Sequence, residues 1–154
     1  MIRSRARGPF RWTALALAAV LVPLVGCASK VATRSFEVAV APDANRDSPV
    51  PVDLVLVRTE ALVPVVTAMS AKQWFQEREQ MVKDHPAALE YRSWEFVPGQ
   101  VRDMARFPFP DRRGFALVVF ADYLSEGVHR LRVDPMEEFR LILRAEGFEA
   151  QAIR

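Results

Sequence analysis

The chain has 154 residues, a single cysteine and a formal charge of +2 at pH 7. This length supports one domain around one hydrophobic core, and a lone cysteine excludes an intramolecular disulfide. Four arginines among the first 11 residues account for the positive balance, so the charge gives no argument for nucleic-acid binding.

The amino-terminal segment has the organisation of a secretory signal peptide. The four arginines precede 14 uncharged residues, Trp12 to Val25, a run that is short for crossing a bilayer. Leu24-Val25-Gly26-Cys27 then resembles the bacterial lipobox, in which the cysteine is lipidated and the chain is cut before it. We predict a lipoprotein signal peptide over residues 1–26 and a covalent lipid on Cys27; the alternative is an ordinary signal peptide with an unrelated cysteine.

Lipidation of Cys27 determines where the protein resides. Cleavage before it leaves 128 residues with 17 basic and 19 acidic side chains. Each buried methylene of an acyl chain contributes about 0.8 kcal/mol, and two chains give stable membrane attachment. Ala28 and Ser29 follow the cysteine, where an aspartate would be the usual inner-membrane retention signal in enterobacteria. We therefore predict an outer-membrane lipoprotein that faces the periplasm, with residues 27–33 as a lipidated tether and residues 34–154 as the folded domain.

The folded domain shows about seven strand patterns and one convincing helix pattern. Ser70 and Gln73 form a potential capping box, apolar residues then recur at helical spacing, and His85-Pro86 ends the helix. Because most strands have no helix between them, a parallel α/β topology is excluded. The prediction is a mainly β fold, an antiparallel β-sandwich with a helical insertion between the second and third strands. The predicted strands cover residues 34–41, 52–58, 92–97, 114–123, 130–133, 138–144 and 148–153.

Catalytic patterns are missing from the sequence. His85 and His129 are far apart and lack metal-ligand spacing, and no serine has the glycine-flanked context of a nucleophile elbow. Residues 43–47 match the opening of a calcium loop, but Ser48 and Leu54 occupy the places of its glycine and its bidentate glutamate. We predict a polar turn there, no enzymatic activity, and no cofactor or metal beyond the lipid on Cys27.

Two groups of aromatic residues allow different interpretations. Trp74 and Trp94 fall on the inward phase of their elements and are predicted to be core residues. Phe107 and Phe109 alternate with prolines in a loop flanked by arginines, a composition typical of protein-binding loops. That loop either contacts a partner or packs onto the core, and the sequence leaves both possibilities open.

The order of these features resembles the TssJ family, the outer-membrane lipoproteins of bacterial type VI secretion systems. A Pro-Val-rich strand follows an Asn/Asp loop, and aromatic helical sequence, a strand ending in Pro-Gly and an apolar strand come next. Residues 57–59 and 129–130 depart from the family's usual Tyr-Gln-Leu-like and Trp-Arg endings, so the chain resembles a divergent relative. The matching segments are 45–52, Trp74-Phe75, 97–99 and 120–123.

The resemblance implies a scaffold that binds the periplasmic part of an inner-membrane subunit, TssM in that family. In the family a loop between the first two strands contributes to this contact, and it corresponds to residues 43–48 here. Two other functions stay open: a pilotin-like chaperone lipoprotein with a groove for a partner peptide, and a small-ligand-binding lipoprotein with a concave pocket. The candidate partner-binding residues are Asp43, Asn45, Asp47, Phe107 and Phe109.

Overall fold

Eight β-strands and two α-helices form the part of the chain that the computed structural model describes, residues 29–104 and 106–153. The mainly β fold and the helical insertion between the second and third strands are confirmed. Cys27 and the predicted signal peptide lie outside the described residues. The strands are β1 (Ser35–Val40), β2 (Val50–Val57), β3 (Leu89–Phe96), β4 (Val101–Met104), β5 (Ala116–Ala121), β6 (Arg130–Arg132), β7 (Glu138–Leu143) and β8 (Phe148–Ala152). The helices are α1 (Val63–Ala68), which follows a 3₁₀ turn at Glu60–Leu62, and α2 (Ala71–Asp84).

The strands form two four-stranded sheets that pack face to face. One has the order β4-β1-β7-β8 and the other β3-β2-β5-β6. The second sheet is antiparallel throughout, whereas in the first sheet β1 and β7 run parallel, with Phe36 opposite Phe139. The predicted sandwich is therefore correct, but one of its sheets is mixed. A parallel pair requires a long connection, and most of the domain lies between these two strands.

The main core lies between the two sheets. Phe36 stacks on Phe139 with ring centroids 5.2 Å apart, and it meets the partly buried Trp94 edge-on at 5.9 Å. Alternate residues of β1, β2, β5 and β7 complete this cluster. Burial alternates along β1, because one face of this strand is turned towards the second sheet.

A second core lies between the helices and the outer face of the β3-β2-β5-β6 sheet. The predicted capping box begins α2: Ser70 Oγ accepts the Gln73 N–H at 3.3 Å, and Gln73 Oε1 accepts the Ser70 N–H at 2.8 Å. Trp74 is fully buried and stacks on Phe120 with centroids 5.1 Å apart. Because β2 and β5 are covered on both faces, their sequences are apolar at nearly every position.

The structure differs from the predicted elements in two places. β4 is an additional strand, and it is exposed along most of its length, so its sequence shows no apolar alternation. The 3₁₀ turn and the six-residue α1, which contains Pro64, are also additional to the one helix predicted. The proline stands in the first turn of α1, where its missing N–H costs no helical hydrogen bond.

The residues just before β1 pack on the domain. Val31 is 3% exposed, and its N–H donates to the Arg112 carbonyl at 3.0 Å. Thr33 is fully buried, and its hydroxyl donates to the Met136 carbonyl at 2.8 Å. Residues 29–33, predicted as part of a tether, are therefore part of the folded unit, because their apolar and hydroxyl groups find partners there. Within the described residues no helix is long and apolar enough to cross a membrane.

Candidate functional site

The sandwich has two ends, and the chain enters at one of them. Residues 29–34 cross this entry end, where they hydrogen-bond to residues 112–114 and 134–137. β1 and β7 both run away from it, and β2 begins at the opposite end. We call that opposite end the distal end. It consists of the loops 41–49, 122–129 and 144–147 together with the turn 97–100, which hydrogen-bonds to the end of β1.

Asn45 holds two of the distal loops together. Its Oδ1 accepts the Leu124 N–H at 2.7 Å, its Nδ2 donates to the Pro49 carbonyl at 2.9 Å, and the residue is only 3% exposed. Asn45, Arg46 and Asp47 have φ values of 48°, 57° and 61°, a left-handed turn without glycine. Such a backbone costs about 1–2 kcal/mol per residue, so the surrounding contacts must offset it.

Asn45 therefore positions the loop from inside, whereas three charged side chains near it face solvent. Asp43, Arg46 and Asp47 are exposed. Of the three acidic or amide residues predicted here as partner contacts, only the two aspartates present a surface that another protein can reach.

The loops 122–129 and 144–147 are joined by side-chain hydrogen bonds. The Tyr123 hydroxyl donates to the Gly147 carbonyl at 2.8 Å, and the Ser125 hydroxyl donates to the Glu146 carbonyl at 3.0 Å. Burial raises the pKa of Tyr123 to about 12, so its hydroxyl stays protonated and remains a donor. His129 stacks on the Tyr123 ring at 4.8 Å. The distal end is thus a connected surface rather than a set of separate loops.

Exposed apolar side chains are concentrated at the distal end. Of the six large hydrophobic residues that are exposed in the described part of the chain, four lie in or next to the distal loops. Exposed apolar groups with a polar rim are typical of protein-interaction surfaces. The four residues are Val97, Val101, Leu124 and Val128, with exposed fractions of 55%, 77%, 65% and 53%.

The distal loops also carry an acidic balance. The segments 42–49, 122–129 and 144–147 contain five carboxylates and two arginines. Arg46 pairs with Glu146 at 3.5 Å, an exposed contact that contributes little stability. The carboxylates are Asp43, Asp47, Asp122, Glu126 and Glu146, and the arginines are Arg46 and Arg144. The surface favours a partner with basic and apolar groups.

Comparison with known proteins identifies the architecture. No family model and no curated protein sequence matches this chain. Among solved structures, the T6SS lipoprotein TssJ1 from Pseudomonas aeruginosa has a TM-score of 0.57 at 16% identity, over 79% of this chain and 97% of that chain. The chain has the TssJ fold. The Lip protein of Serratia marcescens, a membrane-bound component of the type VI secretion system, has a TM-score of 0.50 at 13% identity, over 76% and 95% of the two chains. A chain of a type VI membrane complex has a TM-score of 0.54 at 11% identity, over 77% and 98%.

The TssJ-like sandwich separates the predicted site residues into two groups. Asp43, Asn45 and Asp47 lie at the distal end, whereas the loop with Phe107 and Phe109 lies at the entry end, after β4. Phe109 is 5% exposed and belongs to the main core, with the Arg92 guanidinium 5.1 Å above its ring. Phe107 is half-buried against it. Of the two possibilities for this loop, packing onto the core is the one observed for Phe109.

A concave surface of the TssJ-like domain lies between the start of α2 and the loop 122–129. It encloses about 640 Å³, with Lys72, Phe75 and Glu126 in its lining. Within residues 29–104 and 106–153, no group of three or more histidine, cysteine, aspartate or glutamate side chains could hold a metal ion. The carboxylate of Asp111 has its pKa lowered to about 2 by the hydrogen bond from Arg58, and it lies at the entry end, outside this concavity.

Asp53 is the centre of a buried hydrogen-bond network that was not predicted from the sequence. Its carboxylate is fully buried in β2 and accepts hydrogen bonds from Trp74 Nε1 at 2.8 Å, Arg78 Nη1 at 2.7 Å and Ser93 Oγ at 2.5 Å. An acidic residue inside an otherwise apolar strand was the available signal, since a buried carboxylate requires partners. Because protein groups satisfy it, this network joins α2 to β2 and β3 and serves the fold.

Replacement of Asn45 tests whether its side chain holds the distal loops. We expect Asn45→Ala to lower the free energy of unfolding by about 2–3 kcal/mol, since it removes two hydrogen bonds and places alanine at positive φ. Asn45→Gly removes the same hydrogen bonds without the backbone strain, and we expect about half that loss. Urea denaturation measures both, with Asp43→Ala as the exposed control at less than about 0.5 kcal/mol. Equal stability of all four proteins would contradict the assignment.

Proposed function

We propose that this protein is a lipid-anchored scaffold subunit of a type VI secretion membrane complex, attached to the outer membrane through Cys27. Its distal end binds the periplasmic part of an inner-membrane subunit of the TssM type. The observation that carries this proposal is the TssJ fold combined with the position of the exposed apolar and acidic side chains, which lie at the end opposite to the entry of the chain. Such a role requires binding and no turnover.

The length of the anchor supports this orientation. Ser29 is held on the entry end, where its carbonyl accepts the Gly114 N–H at 3.0 Å. Only Ala28 lies between it and Cys27, and two extended Cα–Cα steps span at most about 7 Å. β2 runs between the two ends over eight residues, which corresponds to about 26 Å. A lipid on Cys27 therefore brings the entry end to the membrane and presents the distal end to the periplasm.

The chemistry of the distal end supports a protein partner. Asp43 and Asp47 stand on one loop, and the exposed Leu124 stands on the loop that Asn45 joins to it. An apolar centre with charged neighbours is the usual composition of an interface, and opposite charges across it steer association. The partner surface that fits is apolar with basic groups around it.

A pull-down with matched charge variants tests the proposal. The full-length lipoprotein is purified from detergent-solubilised membranes, and the proteins that co-purify are identified by mass spectrometry. We expect the wild type to recover inner-membrane type VI subunits, and Asp43→Lys/Asp47→Lys to reduce recovery about tenfold, the equivalent of 1.4 kcal/mol. Glu77→Lys/Glu79→Lys makes the same charge change on the exposed face of α2 and is expected to recover the subunits normally.

Two results would contradict the proposal. Equal recovery by the two charge variants would place the contact away from the distal loop. Recovery of an outer-membrane secretin instead of type VI subunits would favour a pilotin-like chaperone.

A further inference from the structure

The entry end carries a group of basic side chains that we call the basic face. The two segments that form it, residues 30–34 and 106–113, contain five basic side chains and one acidic side chain. Four of the five are exposed and Arg112 is partly exposed. The basic face consists of Lys30, Arg34, Arg106, Arg112 and Arg113, and Asp111 is its carboxylate.

Nearby carboxylates neutralise only part of the basic face. Asp111 accepts hydrogen bonds from Arg58 at 2.8 Å and from Arg113 at 3.2 Å, and Glu137 lies 3.7 Å from Arg34. The neighbouring Glu90 and Asp134 pair with arginines outside the basic face. Among the described residues, no carboxylate lies within 4 Å of the charged groups of the three remaining cations, Lys30, Arg106 and Arg112.

Two of the like charges are placed directly opposite each other. Lys30 and Arg113 form an isolated antiparallel β-bridge, so their side chains project from the same side of the pair. Like charges in this arrangement destabilise the pair. A bound anion would offset this repulsion. Among the described residues, Asp111 is the only carboxylate that pairs with Arg113.

Aromatic side chains accompany the cations. Phe107 and Phe115 are both partly exposed at this end. Phe107 lies with Arg34, Arg106 and Arg112 around an open concavity of about 560 Å³. Cations combined with aromatic rings are the groups that proteins place at the headgroup level of a membrane.

We propose that the basic face binds the headgroups of anionic glycerophospholipids in the leaflet that holds the anchor. This proposal rests on the proposed lipidation of Cys27. The short link from Cys27 to Ser29 would then place the basic face within about 10 Å of the lipid headgroups. The electrostatic potential of an anionic membrane surface acts over this distance. The lipid attaches the domain, and the basic face orients it. The distal loops then point away from the membrane and are presented to a partner in one orientation.

Fluorescence quenching in reconstituted vesicles tests the orientation. The full-length lipidated protein is inserted into vesicles of phosphatidylcholine alone or with 30% phosphatidylglycerol, both containing a lipid with a quencher on its headgroup. Because Cys27 carries the lipid, an introduced cysteine can be labelled uniquely; Pro110→Cys reports on the basic face, and Asp47→Cys on the distal end. We expect quenching at position 110 to rise at least twofold in the anionic vesicles and to return to the neutral value in 0.5 M salt. Quenching at position 47 is expected to stay low in both.

Charge variants separate this proposal from a general attraction of the protein to anionic lipid. We expect Lys30→Glu/Arg106→Glu to abolish the increase at position 110, and Lys72→Glu/Arg102→Glu, the same change away from the basic face, to retain it. Equal quenching in neutral and anionic vesicles, or an increase that survives in the first variant, would overturn the proposal.

Flotation of the protein with vesicles tests the lipid anchor separately from the basic face. If the protein fails to float with neutral vesicles, the lipid anchor is absent and the orientation proposal fails with it. The partner pull-down is independent of both results, because it is read in detergent.

Discussion

Replacing Asp53 with alanine is expected to lower the free energy of unfolding by about 3–5 kcal/mol, because removal of one partner leaves the rest of a buried ionic network unsatisfied. Arg78 would lose the carboxylate 2.7 Å from its guanidinium, and the buried Trp74 Nε1 would lose its acceptor. The contacts that are lost are those that hold α2 to the β3-β2-β5-β6 sheet. Denaturation by guanidinium chloride, followed by circular dichroism, measures it.

Two variants show whether the charge or a single hydrogen bond is responsible. Ser93→Ala removes one donor and keeps the ion pair, so we expect a loss of about 1 kcal/mol. Asp53→Asn preserves the shape but removes the charge that faces Arg78, and we expect an intermediate loss. If Asp53→Ala cost no more than Ser93→Ala, the network would not hold the helix to the sheet.

Replacing Phe139 with alanine is the second large effect that we expect, at about 3–5 kcal/mol. Phe139 is fully buried between the sheets and stacks on Phe36, its neighbour in the parallel pair of β1 and β7. Truncation removes buried apolar surface and leaves a cavity in the main core. Thermal and urea denaturation of the variant measure the loss.

Phe139→Leu is the control, since it keeps most of the volume, and we expect a loss below about 1.5 kcal/mol. Asp53 and Phe139 belong to different cores and have no hydrogen-bond or ring-stacking partner in common. Their effects should therefore add within about 0.5 kcal/mol in the double variant. A larger deviation would mean that the two sites are energetically coupled across β2.

Local patterns in the sequence predict most elements of this fold. The capping box at Ser70 and the His85-Pro86 stop place α2 to within a residue, because both act on the nearest backbone groups. The buried strands follow from apolar composition. β4 is not predicted because an exposed edge strand needs no apolar alternation. The parallel pairing of β1 with β7 is not predicted because the apolar pattern of a strand does not specify which strand it pairs with.

The candidate site is only partly predictable for the same reason. The exposed aspartates of the first loop can be identified locally, but the contact of Asn45 with Leu124 joins residues 79 apart in sequence. Phe109 likewise packs in the main core and lies under Arg92, which β3 contributes. The partners of Asp53 come from α2 and β3, so a sequence window around β2 contains none of them.

The parallel pairing of β1 with β7 also determines how late in the chain the β4-β1-β7-β8 sheet can form. β1 comes first in the chain, yet the residue that pairs with Phe36 follows 103 positions later. A polypeptide that crosses a membrane with its amino end leading would have to wait for nearly its whole length before this sheet could form, and distant pairings of this kind form slowly. The same topology that places residues 29–34 and the exposed distal loops at opposite ends of the sandwich thus delays formation of the β4-β1-β7-β8 sheet until β7 is available.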